Sequence, residues 1–385
     1  MTAIKTLKGL QGIMVRIIQI IFILGLTLTG LSGCSDPKPL NIGFIGGTSG
    51  KVTDLGVPGR NGVMLAVEKR NKQGGVKGQR IELLLKDDRQ DGDLAKRAAE
   101  ELVASNVAAI LGPMTSSMAL EVIPITQQSG TLTMGITVTT NELAGKDDVF
   151  FRTLSPTGDH ASETATYLRT KKGSERITVV YDLKNKSYTE SWVGDFSAAF
   201  RELGGEIVQT NSFFSNDQVM FSDIAKEALS ENPGWVVMVV NSVDAALLAK
   251  QLRTMNPDIQ LAASEWAGTE SLIELGGRYV EGIVVPQYFD RDSLNPEYQA
   301  FYNAYFDRFG HSPGFPGLIG FNATNVVLDG LAAKQDDESL KQAILRIGTF
   351  SVIPGKVTFD SFGDTKSKTY LTEVIDGQFR LGTSL

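Results

Sequence analysis

From Leu40 onward, short β-branched runs alternate with helix-length amphipathic segments. The spacing predicts strands over Asn41–Ile45, Arg80–Lys86, Val107–Leu111 and Thr131–Ile136, with helices over Gly59–Asn71, Leu94–Ser105 and Met118–Gln128 between them. That rhythm belongs to a parallel sheet with helices on both faces. It restarts in mid-chain. Arg176–Tyr181, Glu206–Thr210, Trp235–Val240 and Gln260–Ala263 read as strands, and Tyr188–Leu203, Val219–Leu229 and Val243–Met255 as helices. Phe150–Gly158 and Val284–Asp290 break the alternation; each is strand-like with a proline, and each is a candidate crossing between two lobes. Helices are expected again at Pro296–Phe309, Leu318–Ala333 and Glu338–Ile347, followed by extended, turn-rich chain from Phe350. The predicted fold is α/β: two Rossmann-like lobes with parallel sheets, both discontinuous in sequence. The expected division is 40–153 plus 288–353 for lobe I and 154–287 plus 354–385 for lobe II.

The first residues follow another pattern. Lys5, Lys8 and Arg16 precede an apolar run, Ile17 to Leu28, and then Leu31-Ser32-Gly33-Cys34. A basic start, an apolar stretch and small residues before a cysteine read as an export signal over 1–33 ending at a lipid attachment site on Cys34. The pattern resembles a bacterial lipobox. A membrane-spanning helix needs roughly 20 apolar residues, whereas this run is shorter and interrupted by Gln19. Cys34 is the only cysteine, in a Gly/Ser/Pro-rich stretch that could not bury it. The tether, 34–39, then joins lipid to fold, and the expected location is the periplasmic or cell-surface face of a membrane.

Composition narrows the function. The chain carries a formal charge of -7, and the leader holds three basic and no acidic residues, so removing it leaves -10. An acidic surface argues against nucleic acid as a partner. His160 and His311 are the only histidines. Imidazole–thiolate metal sites are therefore nearly excluded, and a Ser-His-Asp arrangement has few ways to form. Gly46-Gly47-Thr48-Ser49-Gly50-Lys51 looks like a phosphate loop but fails as one, because Ile45 stands five before Gly50 and Val52 follows the lysine. It reads instead as a glycine turn that lets backbone approach a ligand or a neighbouring element. No enzyme, metal or cofactor is expected.

Two strand ends are rich in hydroxyls. Gly112-Pro113-Met114-Thr115-Ser116-Ser117 lies between a strand and a helix start, where free N–H groups and the helix dipole favour a carboxylate. Plain helix capping is the alternative role for these hydroxyls. Thr137-Val138-Thr139-Thr140 repeats the device at the next strand end, at the sheet edge where open α/β folds bind ligands.

Ile42-Gly43-Phe44-Ile45-Gly46, Gly74-Gly75-Val76-Lys77-Gly78, Lys86-Asp87-Asp88, Ile110-Leu111-Gly112-Pro113 and the Thr139/Glu142-Leu143 segment resemble, in order and spacing, the branched-chain amino acid binding family. The resemblance runs from about Leu40 to the C-terminus. It implies a type I periplasmic solute receptor of an ABC importer, with three hinge crossovers, ligand held in the interlobe cleft and ABC permease subunits as partners. By position it assigns Ser116 to a ligand carboxylate, and Thr137, Val138 and Thr139 to carboxylate and ammonium. Glu265 is assigned to the ammonium and Tyr188 to closure from the second lobe. Asn241 stands where the family has a tyrosine, Leu55 where it has a pocket aromatic, and Arg89 and Thr115 where some members have cysteines. The expected ligand is an amino acid or related small carboxylate, and the expected state a monomer. A solvated Glu265, a packing Trp266 and a surface-turn Asp54 are the alternatives for those residues. The departures at Asn241 and Leu55 leave room for a sensor or regulatory lipoprotein acting through a protein partner.

Overall fold

A computed structural model describes residues 38–216 and 218–382; the leader and Cys34 lie outside them. The first sheet is built from β1 (Leu40–Gly46), β2 (Ile81–Asp87), β3 (Ile110–Leu111), β4 (Thr133–Gly135) and β5 (Phe150–Arg152). All five are parallel, in the order β2-β1-β3-β4-β5. The intervening helices are α1 (Thr53–Lys72), α2 (Gly92–Ala104) and α3 (Ser116–Ser129). Parallel strands covered on both faces must be apolar throughout. Ile42, Phe44 and Ile45 of β1 are accordingly fully buried.

The second half repeats the plan with β6 (Arg176–Asp182), β7 (Glu206–Phe213), β8 (Trp235–Val239), β9 (Gln260–Ala263) and β10 (Val284–Gln287). Its helices are α4 (Thr157–Thr170), α5 (Lys186–Glu202), α6 (Phe221–Ala228), α7 (Ser242–Met255) and the short α8 (Glu270–Gly276). The chain then leaves this sheet for α9 (Pro296–Phe309), α10 (Gly314–Ala333) and α11 (Leu340–Ile347), which is opened by a capping box between Ser339 and Gln342. A small hairpin follows, β11 (Thr349–Ser351) with β12 (Lys356–Thr358). Finally β13 (Tyr370–Ile375) and β14 (Gln378–Leu381) add antiparallel to β10, completing the order β14-β13-β10-β9-β8-β6-β7.

α10 belongs to the first lobe because of its glycines. A Cβ on Gly62 of α1 would come within 2.0 Å of the Gly317 carbonyl, and one on Gly320 within 2.5 Å of the Gly59 carbonyl. The two helices therefore pack backbone to backbone, an approach only glycine allows. The helix expected from Gly59 in fact starts at Thr53, and its added first stretch, with Gly56 and Pro58, is packed rather than exposed.

The chain crosses between lobes three times, after β5, after β10 and before β13. The last crossing comes later than expected. The expected division puts 354–385 in lobe II, but its first part stays with β5: the Phe359 ring sits 5.6 Å from that of Phe151, and Arg152 Nε donates to Asp364 Oδ1 at 2.7 Å. Arg152 is completely buried, and a buried guanidinium requires a carboxylate beside it. That need ties the segment to the first lobe.

Candidate functional site

The site forms where carboxyl ends of both sheets face each other. From lobe I come the β3–α3 loop and the segment after β4; from lobe II come the β6–α5 loop and the turn after β9. Gly112 makes the first of these possible, since its φ is 100° and a Cβ there would meet the Ile45 carbonyl at 2.1 Å.

Ser116 opens α3. Its hydroxyl accepts the backbone N–H groups of Thr139 and Thr140 at 3.4 and 3.3 Å, so it knits the two lobe I strand ends together rather than capping its own helix. The next N–H, of Ser117, donates to the side-chain carbonyl of Asn185 in lobe II at 3.1 Å. An amide oxygen thus sits where an anion would be favoured. Thr137 donates its hydroxyl to the Met114 carbonyl. Thr139 is buried, and its carbonyl accepts both the N–H and the hydroxyl of Thr157 at 2.7 Å. The Val138 side chain packs with Ala119, Ile123, Leu143 and Phe150 in the core. It offers the site only its backbone.

Glu265 lies in a turn after β9 and is 1% exposed, so the solvated alternative fails. Its Oε2 accepts the indole N–H of Trp192 at 3.0 Å. Oε1 has no partner of good geometry, although the Tyr188 and Tyr288 hydroxyls lie near enough to act on the carboxyl. Burial pushes its pKa up to about 7, and the hydrogen bonds from these neighbours only partly oppose that. Burial also holds both tyrosines well above their usual value, with Glu265 adding to the effect.

A small cavity remains between the lobes, lined by Leu55, Met114, Thr137, Asn185, Tyr188, Trp266, Tyr288 and Phe315. Its volume is about 10 Å³, roughly the room of one water. Tyr188 meets Trp266 edge to face at 5.7 Å, and Tyr288 leans on Phe315 at 5.2 Å. A wider hollow of about 450 Å³ near Arg291 and Tyr298 is open to solvent, and its arginine is already engaged by Glu270 at 2.7 Å. The interlobe cavity is the better candidate because its polar groups are buried and incompletely paired.

The structure therefore brings Leu55, Thr137 and Tyr188 to one cavity, with Ser116, Thr139 and Glu265 in the polar shell behind it. Asn241 is not among the lining residues. Its side chain caps α7, accepting from Asp244 N at 2.9 Å and donating to Asp244 Oδ2 at 2.9 Å. A short amide at a helix start finds local partners first. Asn185, Tyr288, Phe315 and Trp192 escaped the sequence reading, and Met114 entered it only as part of the Gly112–Ser117 motif. Asn185 lies in a connecting loop and Tyr288 in a stretch that reads only as a crossing, while Trp192 is a helix residue indistinguishable from core. Among the described residues, no group of three or more His, Cys, Asp or Glu could hold a metal ion, and no helix is long and apolar enough to cross a membrane.

Two Rossmann-like lobes, three crossings and a buried polar site between them define a type I periplasmic solute-binding protein. The chain belongs to the periplasmic binding protein family, whose pattern it matches over residues 39–378, and the resemblance to branched-chain amino acid receptors is borne out. A leucine-, isoleucine-, valine-, threonine- and alanine-binding protein of Pseudomonas aeruginosa is 23% identical over 333 residues, covering 85% of this chain and 87% of that one. The Leu/Ile/Val-binding protein of Escherichia coli K12 is 22% identical, covering 86% and 89%. Among solved structures, a leucine-binding protein from Thermotoga maritima is similar with a TM-score of 0.82 at 24% identity, covering 89% and 98%. A solute-binding protein from R. palustris in complex with benzoate is similar with a TM-score of 0.80 at 21% identity, covering 89% and 95%. At these identities the structural likeness speaks for the fold. The family consists of solute-binding proteins rather than enzymes, and this chain is one of them.

Proposed function

We propose that this protein is the extracytoplasmic receptor of an ABC importer, taking an amino acid or related small carboxylate into the interlobe cleft. One observation carries the reading: Glu265 is a buried carboxyl behind a cleft cavity, raised toward neutrality, with Oε1 unpartnered and no ion pair among the described residues. A ligand ammonium would complete it. Ser116, Thr137, Thr139 and the N–H groups at the start of α3 supply the anion side, once the Asn185 amide yields to a carboxylate. Charge-assisted hydrogen bonds in a desolvated site would provide affinity and orientation. Leu55, Tyr188 and Trp266 contact the remainder of the ligand. The relatives' names, which include branched-chain amino acid binding, support this ligand class, and the benzoate complex keeps simple carboxylates in it.

Ligand bridging both lobes raises the closed population, and the closed form docks on permease subunits at the membrane. A lipid on Cys34 holds the monomeric receptor at that membrane. The test is a panel of amino acids and small carboxylates read by tryptophan fluorescence and melting temperature. A saturating true ligand stabilises measurably. A complete absence of response across the panel would reject the importer reading.

A further inference from the structure

The glycine loop Gly46–Lys51, which failed as a phosphate loop, has a different use. Its backbone is pressed on α1 so closely that a Cβ on Gly56 would come within 1.9 Å of the Gly47 carbonyl. Asp87 holds its other side, accepting from Thr48 N at 2.9 Å and Ser49 Oγ at 2.6 Å. Braced on both sides, the loop aims Lys51 across the cleft. Lys51 Nζ donates to the Asn216 carbonyl at 2.7 Å and reaches Ser215 Oγ at 3.5 Å and Asp244 Oδ1 at 3.4 Å. All three belong to lobe II.

The receiving side is prearranged. The Asp244 side chain is completely buried, and its Oδ2 accepts from Ser215 Oγ and from Asn241 Nδ2. Asp182, also buried, fixes Ser215 by accepting its N–H at 2.9 Å. A second crossing lies three residues on, in the first turn of α1: Asp54 Oδ2 accepts from Ser242 Oγ and, at 3.0 Å, from Thr269 Oγ1. Neither contact includes a residue lining the cavity.

We propose that Lys51 and Asp244 form a latch that sets the closed population of the cleft independently of the ligand, with Asn241 as its positioning residue. The proposal rests on the binding reading above only in assuming that closure and binding are coupled. The position where relatives are expected to place a pocket tyrosine has been turned here to closure instead. Losing a hydrogen bond to a charged group lowers the closed-to-open ratio about tenfold, and apparent affinity falls, by at most that factor, equally for every ligand.

The test compares the full wild-type chain with Lys51→Met and Lys51→Arg, using L-leucine and benzoate as titrants and small-angle scattering of the ligand-free protein. Lys51→Met is expected to enlarge the radius of gyration and to weaken each probe that the wild type binds by a common factor of about fivefold to tenfold; Lys51→Arg recovers part of both. Added salt narrows the difference. Unchanged scattering and unchanged affinity in Lys51→Met would overturn the latch. If the wild type binds neither probe, the scattering comparison decides alone: a larger Lys51→Met particle supports the latch, an identical one rejects it.

Discussion

The indole N–H of Trp192 donates to Glu265 Oε2 at 3.0 Å, and both groups are buried. Trp192 is stacked on Phe196 at 4.9 Å, which is stacked on Phe200 at 5.7 Å, so the donor stands at the end of an aromatic column in α5. The carboxyl that faces the cleft is therefore held by the core of lobe II.

That burial has a pH signature. The carboxyl pKa is raised from 4.5 in the unfolded chain to about 7, so the native protein keeps a proton that the unfolded chain releases. Its contribution to stability falls as pH rises from 4.5 to 7, by on the order of 3 kcal/mol in all. Asp54 and Asp182, each raised to about 6 by burial, act in the same sense, and His160, lowered to about 4 by burial, acts against them. Glu265→Gln isolates one group. Ligand-free Glu265→Gln should melt higher than wild type near pH 8, with the gap almost gone near pH 5; thermal unfolding across that range checks it.

Ligand charge adds a second signature. An ammonium beside Glu265 favours the ionised form, so amino acid binding should release a proton below pH 7 and tighten as pH rises toward 8. Simple carboxylates should not share this trend. Calorimetry in buffers of different ionisation enthalpy measures the proton directly. Glu265→Gln should weaken amino acids far more than simple carboxylates, and equal losses would reject the ammonium role.

Ser116→Ala removes the acceptor for the Thr139 and Thr140 N–H groups. Leaving buried donors without a partner costs about 1 to 3 kcal/mol in stability. Affinity should drop for amino acids and simple carboxylates alike, because both present the same anion. A loss confined to amino acids in the binding panel would contradict the assignment.

Trp266 sets the size of the cavity, together with Phe315. Replacing Trp266 by alanine opens space beside Tyr188 and should shift preference toward bulkier side chains, at a stability cost of about 3 to 5 kcal/mol. Competition between alanine and phenylalanine as ligands for the two proteins reads the shift.

Asp364→Ala strands the buried Arg152 guanidinium, which its partner contacts at 2.6 and 2.7 Å. The expected loss is about 3 to 5 kcal/mol. Chemical denaturation measures it.

The alternating runs of the sequence determined the two lobes, their parallel cores and the hydroxyl-rich strand ends, because burial of both sheet faces forces near-continuous apolar strands that local pattern reveals. Family order added Ser116, Thr139 and Glu265, which come from both lobes; the Tyr288 hydroxyl, from a residue lining the cavity, lies near both Thr139 and Glu265. Tertiary packing alone decided the rest. That α1 begins at Thr53 rather than at Gly59 goes with close approaches that local pattern does not show: Gly56 against the Gly47 carbonyl, and the Gly59 carbonyl against Gly320. Where the last crossing falls depended on Arg152 finding Asp364 across 212 residues. Asn241 stood where the family resemblance placed a ligand contact, but its amide is engaged by Asp244 of its own helix, and Lys51 reaches that same carboxylate from the opposite lobe, a contact no local pattern could show.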